Sequence, residues 1–564
     1  MKYDDRPWLN HYPPGQDHKI TLPEITLVEH IERIASEFPR EPAIYFLGVT
    51  ISYQELMAHS NRFAQALIQN GILPGDVVGI NLPNSPQYVI AQVGALKAGC
   101  AASGVSPLLT PRELAYQLGD SRARVLVTLD AIFEHRFLSI SDQLPDLKLI
   151  VATGILDFLS WIKQKAARIL KKVPHGRLRP VEGKTLLKFM DILSTYPDRA
   201  SGVKVRPEDH CLIMYTGGTT GTPKGTIITH RNMMTELAIV TGWLNMELGK
   251  EVILSAFPLF HIAGLALALG TIFIGSVQIL IPNPRDTKHI VKEMAKYKPT
   301  ILVNVPSLYM MLLEEPGFRK LDFSRLSFCL SAASPFPVES IGQLEDAVGE
   351  GKMLECYGLT EVSSLATMNP RRGTRKVGTV GVPLPNTMIR LVDLGTGTID
   401  VPFGEEGEIV VSGPQVMMGY LNKPDETALS LKERHGETWL HTGDIGRMDS
   451  DGFLTIVDRT KDMLNVGGYK VFSREIEDKL YENPAIEFCA IIGVPNPKRP
   501  GSDLVKLVVQ PSPYFKNVNQ ELLKAEILAF ARENFAPYKV PKIIEFVETI
   551  PLTAVGKVDK KALK

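Results

Sequence analysis

Between Tyr215 and Gly225 the chain reads Tyr-Thr-Gly-Gly-Thr-Thr-Gly-Thr-Pro-Lys-Gly. Gly217, Gly218 and Gly221 let the backbone approach an anion closely. Thr216, Thr219, Thr220, Thr222 and Lys224 add hydroxyl and ammonium donors to the successive N–H groups, a set that suits phosphate oxygens. This is not a Walker A loop, which needs Gly-Lys before Ser or Thr, because Pro223 precedes Lys224. A polar hairpin turn is the plainer alternative. The expectation is a nucleotide-phosphate loop of another type, entered from a strand over Leu212–Met214.

Elements able to hold such a loop recur along the chain. Leu56, Phe63, Ala64, Leu67 and Ile68 mark a helix face. Val77–Ile80, Val125–Thr128 and Leu149–Val151 read as strands, and Tyr88–Ala98 as a largely buried helix. Alternation of this kind predicts an α/β architecture with largely parallel sheets. After Gly378 short strands and Gly/Pro turns take over: Ile389–Asp393, Gly407–Val411 and Phe453–Val457 predict a small β-rich subdomain. A chain of 564 residues is too long for one core and predicts at least two domains.

Composition removes several classes of function. Lys plus Arg and Asp plus Glu both number 62, so no global charge favours nucleic acid. Five cysteines (Cys100, Cys211, Cys329, Cys356, Cys489) stand singly, which argues against a disulfide framework and a zinc site. The start of the chain carries no apolar secretory segment, and the expectation is a cytoplasmic protein. Val252–Pro282 holds no Asp, Glu, Lys or Arg and is long enough to span a bilayer. Pro258, His261, Gly264, Gly270 and Gly275 interrupt it, so a strand (Val252–Phe257), a buried helix from Ile262 and a strand near Val277–Ile281 are expected instead.

The run Asp458-Arg459-Thr460-Lys461-Asp462 follows a strand and is crowded with charge, so a surface boundary is expected there. Some hundred residues beyond it suffice for a small domain. That part carries a helix over Glu475–Leu480, strands over Cys489–Val494 and Lys506–Val509, and a helix over Gln520–Phe535. In the tail Lys557 follows Gly556; alone, such a lysine reads as solvated surface.

Together these pieces resemble the adenylate-forming superfamily, which includes acyl- and aryl-CoA ligases, peptide-synthetase adenylation domains and firefly luciferase. The likeness runs from Ser52-Tyr53-Gln54-Glu55-Leu56 to Lys557. It rests on the loop at 215–225, Tyr357-Gly358-Leu359-Thr360-Glu361, Thr442-Gly443-Asp444, Asp458–Asp462, Gly467-Gly468-Tyr469-Lys470 and Gly556-Lys557, all in the family's order. The resemblance implies an α/β fold with a large N-terminal domain (1–460) of two α/β subdomains plus a distorted β-barrel. A small, mobile α+β domain (461–564) follows.

The implied chemistry is attack of a carboxylate on the α-phosphate of ATP, where positioning and charge neutralisation supply most of the catalysis. Thr216–Lys224 would hold the β- and γ-phosphates, and Thr360 the α-phosphate. Glu361 would ligate Mg²⁺, although without the family Thr360-Glu361 reads as a helix start. Ser331, Ala332, Ala333, Ser334 and Tyr357 would line the adenine site and Gly358 would help bind the nucleotide, with Asp444 on the ribose hydroxyls and Arg459 assisting. Lys557 would be the catalytic cation. Lys461 is the implied hinge, about which Gly467 and Gly468 would replace Lys557 and admit coenzyme A. The pattern departs from the family at Asn465, at Cys356 and in the glycine-free Ser331-Ala332-Ala333-Ser334.

Ile155–Val173 carries apolar residues at helical spacing, Trp161, and basic Lys163, Lys165, Arg168, Lys171 and Lys172. An amphipathic helix on the inner face of an anionic membrane and a helix packed on the domain both fit. The segment resembles an insertion of bacterial long-chain fatty-acyl-CoA ligases and turns the expected substrate toward a fatty acid. His261 matches a position near the acyl pocket, or is a satisfied core histidine; Leu265 and Ala332 complete that pocket. The expected activity is acyl-CoA formation through acyl-AMP. An acyl-AMP ligase loading a carrier protein, an aryl-CoA ligase and a membrane-bound scaffold are the alternatives. The oligomeric state, a homodimer included, stays open.

Overall fold

The computed structural model describes residues 2–164, 174–216, 222–334, 336, 338–434, 436–467, 469–497, 499, 502–515, 518–553 and 557–563. Among them the strands form two large sheets, an antiparallel sheet and two small C-terminal sheets. One large sheet runs, in spatial order, Gly419–Tyr420, Lys224–Thr229, His210–Thr216, Ala101–Gly104, Val77–Asn81, Val125–Leu129, Leu149–Thr153 and Thr185–Lys188. Its strands from His210–Thr216 onward pair in parallel. The other large sheet has a parallel centre of Met353–Tyr357, Phe328–Ser331, Ile301–Asn304, Val252–Ser255, Val277–Leu280 and Pro42–Phe46. Both faces of such sheets are covered, which explains strands that read as continuous apolar runs.

One apolar core joins the two large sheets. It contains Ile44 and Leu280 of one, Val78, Ile80 and Val127 of the other, and Phe63, Tyr88, Met233 and Ile272 from helices between them. The helix Tyr53–Gln69 starts on a capping box: Glu55 N donates to Ser52 Oγ at 3.2 Å and Ser52 N to Glu55 Oε2 at 2.8 Å. Each such cap contributes on the order of 1 kcal/mol. The uncharged stretch folds as expected, with the helix Ile262–Phe273 between two strands of one sheet. No helix among the described residues is long and apolar enough to cross a membrane.

The antiparallel sheet holds Met388–Val392, Glu406–Ser412, Glu437–Met448, Leu431–Arg434 and Leu454–Arg459. Residues 3–20 lie against it as a strap. Tyr3 and Trp8 are buried, Tyr12 Oη donates to Pro383 O at 2.6 Å, and Ile20 N donates to Asn386 Oδ1 at 2.8 Å. The smaller C-terminal part has a ribbon of Leu464–Val466 and Tyr469–Val471, and a sheet of Ile486–Pro495, Asp503–Pro511 and Ile543–Phe546. Helices Ser473–Leu480 and Gln520–Asn534 share its own core.

Two expectations need correction. The Asp458–Asp462 run is not all surface: Asp458 is buried, because Ser473 N and Oγ both donate to its carboxylate. The helix read from Ile155 begins only at Trp161. Asp157 Oδ2 accepts from Gly154 N at 2.7 Å and Thr153 Oγ1 at 2.9 Å, closing a turn, while Ile155 and Phe158 pack on the core. Trp161 and Ile162 are exposed; residues 165–173, with most of the basic face, lie outside the described residues.

Candidate active site

Side chains from three sheets meet at one cleft. Tyr357 and Ser331 sit at the C-terminal ends of neighbouring parallel strands, where open α/β sheets bind ligands. Asp444 lies in the antiparallel strand Glu437–Met448, opposite Arg459 in Leu454–Arg459. Arg459 Nε is 2.9 Å from Asp444 Oδ1, and Tyr357 Oη donates to Asp444 Oδ2 at 2.7 Å. Asp444 is therefore buried but held on both oxygens. The nearby carboxylate pushes the Arg459 guanidinium's pKa still higher. Gly443, at φ +72°, lies where the strand's register shifts just before Asp444, and Asp444 N donates to Thr442 Oγ1 at 3.1 Å.

The Tyr357–Glu361 segment turns back sharply. A Cβ on Gly358 would fall 1.7 Å from Ser364 O, so no other residue fits without moving backbone. Thr360 and Glu361 open a single 3-10 turn rather than an α-helix, and Ser363 follows at φ +62°. Leu365 N donates to the buried Glu236 Oε1 at 2.7 Å, and Ser363 Oγ to Gln415 O at 2.7 Å, which fixes the segment from below. Glu361 Oε1 accepts from Tyr420 Oη at 2.8 Å. Burial raises the Glu361 carboxyl pKa, that hydrogen bond opposes the rise, and Asp444 adds to it.

The hairpin that carries the expected phosphate loop is built by antiparallel pairing of His210–Thr216 with Lys224–Thr229, Thr216 facing Lys224. Gly217, Gly218, Thr219, Thr220 and Gly221 lie outside the described residues; Thr222 is exposed. Lys224 Nζ sits 3.0 Å from Glu426 Oε2 and 4.3 Å from the Tyr420 ring centre. Tyr420 thus touches both the Lys224 ammonium and the Glu361 carboxylate. Neither Tyr420 nor Glu426 stood out in the sequence: a two-residue strand and a short surface helix carry no signal of their own.

Ser331 ends a buried strand, and Ala332 and Ala333 follow it. Ala333 adopts φ +73°, the left-handed conformation that glycine would take without strain. His261 accepts from Ala263 N at 3.3 Å and caps the helix Ile262–Phe273. Burial first, and the Lys557 charge second, lower its pKa to about 4. It is neutral at pH 7. Leu265 is buried in the same helix. An apolar seam of about 20 Å³ separates that helix from the strands, between Phe257, Leu259, Gly264, Leu267 and Ala268.

Lys557 joins this cleft from the far end of the chain. Burial lowers its pKa to about 8, Arg459 pushes the same way and Asp444 opposes. It stands on a hairpin: Leu552 bridges Val558, Thr553 N donates to Lys557 O at 2.7 Å, and Asp559 N to Pro551 O at 2.8 Å. Gly556 lies outside the described residues. Lys461 is exposed just past the last strand of the antiparallel sheet. Gly467 is not brought to the cleft; its N–H donates to Ser502 Oγ at 2.8 Å within the C-terminal part, and Gly468 lies outside the described residues. No cluster of three or more His, Cys, Asp or Glu side chains fit for a metal occurs among the described residues. An ion carried by phosphate oxygens and a single carboxylate would need no such cluster.

Residues 31–421 match the AMP-binding enzyme family, and 475–557 match the AMP-binding enzyme C-terminal domain. The chain is 37% identical to the long-chain-fatty-acid–CoA ligase of Bacillus subtilis (strain 168), over 99% of this chain and 97% of that protein. It is 31% identical to the feruloyl-CoA synthase of Amycolatopsis sp, over 94% and 96% of the two chains. Among solved structures, the anthranilate CoA ligase AuaEII in complex with anthranoyl-AMP superposes with a TM-score of 0.82. That match has 27% identity and covers 100% of this chain and 98% of the other.

Proposed function

Since the chain belongs to the AMP-binding enzyme family, we propose that it is an ATP-dependent long-chain fatty-acid–CoA ligase. The carboxylate oxygen of the acid attacks the α-phosphorus of ATP, the bond to the β-phosphate oxygen breaks, and pyrophosphate leaves. The thiol of coenzyme A then attacks the acyl carbonyl, AMP departs and the thiol proton goes to solvent. The observation that carries this reading is the convergence of Lys557, from a distant hairpin, on the Asp444–Arg459 pair. An ammonium there suits the charge that develops between two anions.

In this reading Thr216–Lys224 grips the β- and γ-phosphates, and Lys224 exchanges Glu426 for phosphate oxygen. Thr360 meets the α-phosphate. Adenine lies along Ser331–Ala333, Tyr357 and Gly358, and Asp444 binds the ribose with Arg459 assisting. Glu361 would hold Mg²⁺ arriving with ATP, and the ion would supply neutralisation of phosphate charge. Residues 1–460 form the adenylation domain, and 461–564 turn about Lys461 to withdraw Lys557 and bring Gly467 and Gly468 to the thiol. His261, Leu265 and Ala332 border the acyl site, where a long chain must widen the narrow seam. The protein works in the cytoplasm, with Trp161 and Ile162 beginning a surface for the anionic inner face of a membrane.

The feruloyl-CoA relative and the anthranilate ligase fold support a second reading, an aryl-acid ligase. Purified protein with ATP–Mg²⁺, coenzyme A and either fatty acids of graded length or benzoate and cinnamate acids separates the two. Thioester formation that peaks on long chains supports the main reading, and a peak on aryl acids replaces it. Acyl-AMP accumulating without thioester would instead identify a carrier-protein ligase.

A further inference from the structure

The Lys557 hairpin is tied to the rest of the molecule through a chain of buried polar groups. Lys560 Nζ donates to Ser473 Oγ at 2.7 Å, and Ser473 Oγ donates to Asp458 Oδ1 at 3.2 Å. Ser473 N donates to Asp458 Oδ2, and Lys560 Nζ also sits 2.7 Å from Glu477 Oε1. Asp458 and Ser473 are buried, while Lys560 and Glu477 are 16% and 13% exposed. Charged hydrogen bonds in such surroundings are strong when complete and costly when one member is lost.

The members divide unequally across position 461. Asp458 belongs to the antiparallel sheet, paired with Ile445, whereas Ser473, Glu477 and Lys560 all lie beyond Lys461. A rotation there leaves Lys560, Ser473 and Glu477 together but strips Asp458 of both Ser473 donors. Only its own chain neighbour, Arg459 N at 2.8 Å, goes with it. A contact made in one state alone shifts the equilibrium toward that state by its own free energy. Lys560 is also three residues from Lys557, at the foot of the same hairpin.

We infer that Asp458, acting through Ser473 and Lys560, is the positioning residue that holds Lys557 at the cleft for adenylate formation and releases it for thioester formation. The inference rests on the proposed two-step reaction and deepens it. The test compares wild type, Asp458→Ala, Lys560→Met and Lys560→Arg in two assays. One is fatty-acid-dependent ATP–pyrophosphate exchange, the other single-turnover thioester formation from supplied acyl-AMP and coenzyme A.

Asp458→Ala and Lys560→Met should lose about tenfold or more in exchange while thioester formation stays within about twofold of wild type or rises. Lys560→Arg should recover most of the exchange. Equal losses in both assays, or no loss in exchange, would overturn the clasp. A wild type without acid-dependent exchange would reject the proposed function itself, a separate outcome. Should Asp458→Ala fail to fold by its melting curve, Lys560→Met decides, since its partly exposed side chain lies at the end of the network.

Discussion

The two sides of the cleft are built on opposite plans. On the N-terminal side Asp444, Tyr357 and Arg459 hold one another directly, at 2.7 and 2.9 Å, from strands of two sheets that share a core. On the C-terminal side Lys557 stands on a short hairpin, and its register depends on groups farther down the tail. The first side is tied strand to strand, because both Asp444 oxygens hold partners that are themselves carried by strands. The second is held by a few contacts that a rotation can undo together. Under the proposed function, such a site would keep its nucleotide wall fixed and make its catalytic cation removable.

The sharpest way to break that comparison is Lys557→Ala. Exchange should fall on the order of 10²–10³-fold, as for loss of a preorganised charge in other sites, while thioester formation from supplied acyl-AMP stays near wild type. Equal loss in both half-reactions would mean the lysine belongs to the fixed wall. Asp444→Ala should do the reverse of a selective lesion. It strands Arg459 and the Tyr357 hydroxyl and should weaken ATP by about 3 kcal/mol, roughly a hundredfold in KM, and impair both half-reactions. Unchanged thioester formation from acyl-AMP would show that the ribose contact is not made there.

pH distinguishes the sides more gently. Because the Lys557 pKa is lowered to about 8, its ammonium, and with it kcat/KM for exchange, should decline as pH rises through 8. Lys557→Arg should move that inflection upward, and a profile still flat at pH 9 in wild type would contradict it. The stability sign is opposite: between about 8 and the usual lysine range the unfolded chain binds more protons at this position, so its contribution to stability rises with pH. The smallest effect expected is from Ala333→Gly, which relieves a left-handed alanine. It should add about 1 kcal/mol to unfolding free energy by denaturant titration; a loss would show that the alanine methyl packs more than the backbone strains.

Much of the fold was legible because apolar runs are local signals. The strands at Val77–Asn81 and Val125–Leu129 follow directly from nearby residues. The site was legible only as an ordered set of motifs. What the sequence hid was pairing across distance: Tyr420 with Glu361 over 59 positions, Glu426 with Lys224 over 202. It also hid burial of charge. Asp458 looks like surface within a charged run, and only a partner 15 positions on takes it out of water. At Ile155 helical spacing was present, but one carboxylate, Asp157, turned the chain first.

The strap of residues 3–20 has a consequence in time. Its hydrogen bonds reach Pro383 and Asn386, the first across 371 positions. At roughly 5–20 residues per second of synthesis, some 20–75 s separate the emergence of Tyr12 from that of its acceptor. Throughout that interval Tyr3 and Trp8, buried in the finished protein, have no sheet to cover them. The strap thus leaves the ribosome long before the sheet that covers it, and until then it is a natural client for a chaperone.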